Sequence, residues 1–140
     1  MLGGLAGGWV SDILAPQTGL RWARKTVAVT GFVVPGAGIL AACLTSNALV
    51  GVAWSCVAMF GLELTVGVAW AVPLDIGGDY AGSVSAVMNS FGNFGGAIAT
   101  TASGYPVKYY GWTSPFLVMS FLSFVAAILF TRIDAGEKIC

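Results

Sequence analysis

The chain has 140 residues, 57% of them hydrophobic and 9% charged, with a formal net charge of zero and a mean hydropathy of +0.87. A soluble domain is about a quarter charged, so this composition belongs in a lipid bilayer, and the lack of any basic tract argues against nucleic acid as a partner. There is no histidine, and Cys43, Cys56 and Cys140 form no CxxC or Cys/His spacing, so nothing supports a metal, a cofactor or thiol chemistry.

The opening run 1–12 is too short to cross a bilayer and is rich in glycine. Gly3, Gly4, Gly7 and Gly8 give two overlapping small-xxx-small patterns suited to close helix contact. It reads as the last turns of a longer helix, and the chain as a fragment of a larger protein. Ser11 and Asp12 mark the membrane edge. Residues 13–25 read as a loop, with Pro16 and Gly19 as breakers and Arg21, Arg24 and Lys25 as a basic cluster; such a cluster also serves as a solvated headgroup anchor.

Thr26 to Leu62 carries no charge and is too long for one span of about 20 residues. Thr45-Ser46-Asn47 favours a turn, which predicts spans at 26–44 and 48–72. Pro35-Gly36 predicts a kink in the first. Glu63 stands inside the second, with Gly67 and Trp70 on the same face at i+4 and i+7. A carboxylate at that depth costs about 3 kcal/mol on insertion scales. It therefore faces a cavity or a partner, or is protonated; coupling to protons or cations and a neutral, hydrogen-bonded structural role are both open. Pro73, Asp75, Gly77, Gly78 and Asp79 read as the next loop, with Asp79 placed to cap the following helix.

A third span is expected at 82–104. At 100° per residue, Ser85, Asn89, Gly92, Asn93, Gly96, Thr100 and Ser103 share one face, while Val84, Val87, Phe91, Phe94 and Ile98 fall opposite. Such a helix turns its bulk to lipid and its small polar side to other helices or to a cavity. The glycines favour packing; the amides Asn89 and Asn93 suit packing or binding equally. Tyr105–Trp112 reads as an aromatic interfacial loop. A fourth span follows at 113–131, apolar all round, then a charged tail at 132–140. The fold expected is an all-α membrane protein of four transmembrane helices plus the tail of a fifth. Four spans put Arg21, Arg24, Lys25, Arg132 and Lys138 on one side and Lys108 on the other, which makes the 13–25 loop and the C-terminus cytoplasmic.

Gly8-Trp9-Val10-Ser11-Asp12, Gly19, Arg21, Arg24 and Lys25 resemble the GxxxD…G…R/K loop signature of the major facilitator superfamily. There the signature stands between helices 2 and 3 and again between helices 8 and 9. Four spans follow or flank it here, which resembles the second copy. The resemblance implies the tail of helix 8 followed by helices 9 to 12, part of the C-terminal half of a twelve-helix transporter whose N-terminal half is missing. Trp70-Ala71-Val72-Pro73-Leu74-Asp75, then Gly82 and Asn89-Ser90-Phe91-Gly92-Asn93, look like the helix 10–11 region of the anion:cation symporter family, which carries sugar acids and other small organic anions. That resemblance implies substrate contact by Trp70 and Asn89, to which Asn93 is added from its place on the stripe; the loop signature implies a gating role for Gly8, Asp12, Gly19, Arg21, Arg24 and Lys25. Ile13 replaces the usual basic residue after the signature aspartate, and Asp12 is expected to lack a partner within this chain. Glu63 gains no support from the family.

The function expected is a secondary transporter in the inner or plasma membrane, coupled to protons or cations, taking up a small organic anion. The alternative is a small four-span protein working as an oligomeric exporter, which also wants one intramembrane glutamate but needs a complete first span. An enzyme is not expected, because no clustered acid pair, Cys/His pair or ligand set is present.

Overall fold

A computed structural model describes residues 2–133. It contains α1 (Leu2–Thr18), α2 (Leu20–Leu44), α3 (Ala48–Gly77), α4 (Ala81–Tyr110) and α5 (Ser114–Phe130), with a single 3-10 turn at Gly78–Tyr80 between α3 and α4. The fold is all-helical, with no strand among the described residues. Two helical runs are long and apolar enough to cross a membrane, Arg21–Leu44 and Ala48–Tyr110. The second comprises α3 and α4 in succession, and α5 is a shorter apolar helix.

α2 and α3 form the centre. They run antiparallel, joined by Thr45–Asn47, and Asn47 caps α3 by accepting from the Leu49 and Val50 amides at 3.0 and 3.4 Å. Val27 and Ala28 of α2 pack on Val68 and Val72 of α3, and Leu14, Ile76 and Phe130 close over them. α1 lies against both central helices, and α5 lies against α2. Ser120 and Ser123 of α5 donate to the carbonyls of Gly36 and Phe32, each at 2.7 Å. α5 therefore presents a hydrogen-bonded side as well as the apolar one expected from its sequence.

Helix contacts are close where glycines meet backbone. A Cβ at Gly7 would strike the Leu64 carbonyl, one at Gly67 the Gly4 carbonyl, and one at Gly31 the Thr65 hydroxyl. The small-xxx-small pattern at the start of the chain thus faces α3, as its spacing suggests.

The element boundaries depart from the sequence reading in one consistent way. The 13–25 segment, read as a loop, is helical on both sides of Gly19. α3 continues through Pro73 to Gly77, and α4 through Pro106 to Tyr110, so the aromatic segment is helical rather than a loop. α2 likewise continues through Pro35. A proline inside a helix forfeits its own amide bond and crowds the preceding turn, but here it does not end the helix. α1, α3 and α4 end at glycines with positive φ: Gly19 and Gly111 at 85° and Gly78 at 48°. Gly19 and Gly111 donate to the carbonyl four residues back, Ala15 at 2.9 Å and Val107 at 3.0 Å, and their ψ of 149° and 175° then takes the chain out of the helix. Asp79 does not cap α4 through its side chain; Tyr80 occupies that position without a side-chain bond. The tail beyond Ile133, with Lys138 and Cys140, lies outside the described residues.

Candidate functional site

Three helix ends meet at Arg24. Gly19 turns the chain so that the first turns of α2 face the last turns of α1, and the uninterrupted α3 brings Asp75 alongside. Arg24 is 8% exposed. Its Nε donates to Asp75 Oδ2 at 2.9 Å, and its Nη1 donates to Asp12 Oδ1 at 2.8 Å and to Ser11 Oγ at 3.1 Å. Ser11 is fully buried, whereas the Asp12 side chain is 66% exposed and that of Asp75 is 20% exposed. The planar guanidinium fork suits this arrangement, because its donors diverge toward separate acceptors.

This geometry corrects two expectations. Asp12 does have a partner in the chain, Arg24. Arg24 is a buried ion-pair residue, not a solvated headgroup anchor. The sequence reading missed Asp75 and Ser11 as members of the node, because Pro73 made the Asp75 segment look like a loop.

The rest of the basic cluster is not drawn into the node through Lys25, whose Nζ sits 5.7 Å above the Trp22 ring. Arg21 is exposed at the same helix end. Gly8 is open toward any added Cβ, although its own amide lies against Gly67.

The expected substrate residues are distributed along two helices. Glu63 and Gly67 lie on the side of α3 that α1 covers: Glu63 packs beside Gly3 and Gly4, and Gly67 beside Gly4 and Gly8. Trp70 stands at 45% exposure on α3. Asn89 and Asn93 are exposed on α4. Asn93 Nδ2 donates to the Asn89 carbonyl at 2.8 Å, and Thr100, Thr101 and Ser103 also donate to carbonyls of their own helix. No hydrogen bond engages the Asn89 side chain among the described residues. α4 touches α3 and, more lightly, α5; none of its residues is buried, and its bulky face is as exposed as its polar one. Nothing lies within 4 Å of a Cβ built at Gly92, Gly95 or Gly96, so the packing role read for these glycines has no counterpart among the described residues. One cleft opens between α2, α3 and α5 and another along α4. Trp70, Asn89 and Asn93 line neither. No group of three His, Cys, Asp or Glu side chains is placed to hold a metal among the described residues.

Comparison with known proteins places transporters beside this chain. It is 33% identical over 91% of its length to a protein of Cupriavidus necator named "Probable sulfoacetate transporter SauU". It is 30% identical over 97% of its length to "Probable anion transporter 3, chloroplastic" of Oryza sativa subsp. japonica, and 24% identical over 98% to "Probable anion transporter 4, chloroplastic" of Arabidopsis thaliana. The chain spans only 30%, 27% and 26% of the length of these relatives. No family model and no solved structure matches it. The chain is thus all-helical among its described residues, with helices apolar enough for a membrane, and its relatives are named as sulfoacetate and anion transporters.

Proposed function

We propose that the chain is part of a secondary transporter of the major facilitator type, akin to the anion:cation symporters, that moves a small organic anion across the cell membrane. The observation that carries this reading is the 33% identity, over 91% of the chain, to a protein named as a sulfoacetate transporter. In this reading α1 is the end of helix 8 and α2 to α5 are helices 9 to 12. The Arg24 end is cytoplasmic, by the balance of cations between the two ends. The cavity opens alternately to each side as two halves rock, and Arg24, by tying three helix ends together, holds the cytoplasmic end as one body.

Trp70 stacks on the carbon skeleton of the substrate, and Asn89, whose amide is uncommitted, hydrogen-bonds its hydroxyl or acid group. Asn93 is the less committed candidate, because its amide already serves the Asn89 carbonyl. The test is uptake by the full-length protein in proteoliposomes, against sulfonates, sugar acids and inorganic phosphate, with and without a proton gradient. Saturable uptake of an organic acid is expected. A correctly inserted protein that moves none of these anions would overturn the reading.

Two substitutions refine it. Asn89→Ala is expected to weaken substrate affinity about tenfold, the scale of one lost hydrogen bond to a charged group, while leaving folded yield near wild type. Equal losses in both would return Asn89 to a packing role. Glu63→Gln is expected to change the pH profile of uptake. A normal profile at normal expression would assign Glu63 to the α1–α3 contact alone.

A further inference from the structure

At the end of the bundle opposite Arg24, a cleft of about 630 Å3 opens between α2, α3 and α5. Ala48, Gly51, Val52, Ser55, Met59 and Leu62 of α3 line one wall; at 1.5 Å per residue, that wall is about 20 Å long. Trp112, in the turn before α5, and Phe116 and Met119 of α5 face it. No charged residue lines the cleft. The polar lining atoms that hydrogen-bond do so locally: Ser55 donates to the Gly51 carbonyl at 2.9 Å, and Thr45 accepts from the Asn47 amide at 3.4 Å. A polar ligand would find little to replace its hydration. The walls belong to helices apolar enough for a bilayer, and the hydrocarbon of one leaflet is about 15 Å deep, half of the ~30 Å core. Two methionines in the lining allow it to adapt to a flexible chain. At the same end, Lys108 stands in the last turn of α4, four residues before Trp112. It is exposed, with its Nζ 5.6 Å from the Tyr109 ring, and it is the one Lys or Arg of the α4–α5 hairpin.

We infer that this cleft is a lipid site: it holds one acyl chain of an anionic phospholipid, whose headgroup phosphate pairs with Lys108. The neutral cleft supplies depth and shape for the chain, and the lone cation, at the end away from Arg24, supplies the direct charge attraction for a negative headgroup in that leaflet. The inference does not depend on what the protein transports.

The test uses the full-length protein in mixed vesicles of phosphatidylcholine and phosphatidylglycerol, the latter brominated on its acyl chains as a contact quencher of tryptophan. Quenching that saturates at low phosphatidylglycerol fraction is expected, and Trp112→Phe should remove that saturable part. The double substitution Val52→Phe with Ser55→Phe, at two exposed positions that tolerate bulk, fills the cleft and should abolish it as well. Lys108→Ala should raise the half-saturating fraction about fivefold, the effect of one interfacial cation. Quenching that rises linearly and equally in all variants would mark ordinary surrounding lipid and overturn the inference. So would brominated phosphatidylcholine acting as well as phosphatidylglycerol, or no Trp112 quenching because another part of the protein fills the cleft.

Discussion

Arg24→Ala is expected to be the most damaging single substitution at the basic end of the bundle. It removes the shared partner of two carboxylates and a buried hydroxyl. Breaking a buried pair by deleting one member typically costs about 3–5 kcal/mol, because the remaining charge stays desolvated. Here the lower end of that range, about 3 kcal/mol, is the expectation, since Asp12 is largely in water. The partners should rank by burial. Asp75→Asn should cost more than Asp12→Asn, whose pair resembles a surface salt bridge worth about 0–1 kcal/mol. Arg24→Lys should recover only part of the loss, because a single ammonium cannot reproduce the divergent fork. Thermal stability of the full-length protein in detergent checks the ranking; an Asp12 variant as damaged as the Asp75 variant would sink the burial argument. If uptake also falls in the Asp12 variant while its stability holds, the node acts in the transport cycle and not only in folding.

The second large effect is expected from adjacent glycines with opposite outcomes. Gly7→Ala places a methyl group against the Leu64 backbone, and Gly67→Ala places one against the Gly4 carbonyl. Backbone cannot rotate aside as a side chain can, so α1 and α3 must separate; overpacking of this kind costs about 1–3 kcal/mol. Gly8→Ala meets nothing within 4 Å, and replacing a mid-helix glycine by alanine favours the helix by about 0.5–1 kcal/mol. The melting temperature should therefore drop for Gly7→Ala and Gly67→Ala and hold or rise for Gly8→Ala. Equal losses at Gly7 and Gly8 would mean that α1 presents a different face to α3.

Composition and periodicity carried the architecture a long way. The charge-free run from Thr26, the Thr45–Asn47 turn and the paired small residues of α1 each express a local rule that the helices obey. The boundaries failed at Pro16 and Pro73 for one reason. Proline advertises a break in any sequence, yet among packed helices the lost hydrogen bond does not outweigh the contacts on either side. That error propagated to the site. With Asp75 in a loop its meeting with Arg24 is hidden, and Arg24 reads as solvated. The proposed substrate residues were legible only as chemistry, an indole and two amides. Trp70 stands on α3 and Asn89 and Asn93 on α4, and their relative placement is a tertiary matter that the spacing within one helix does not determine.

The exposure of α4 on every side bears on how the protein is made. α4 is the least apolar of the five helices, and its serines, threonines and asparagines lower its own tendency to leave the translocation machinery for lipid. It also gains little shelter from α3 and α5. Its entry into the bilayer must therefore be assisted by the strongly apolar helices on either side of it, with α3 arriving before it and α5 following. Shortening or charging α5 should then strand α4 outside the membrane even though no residue of α4 has changed.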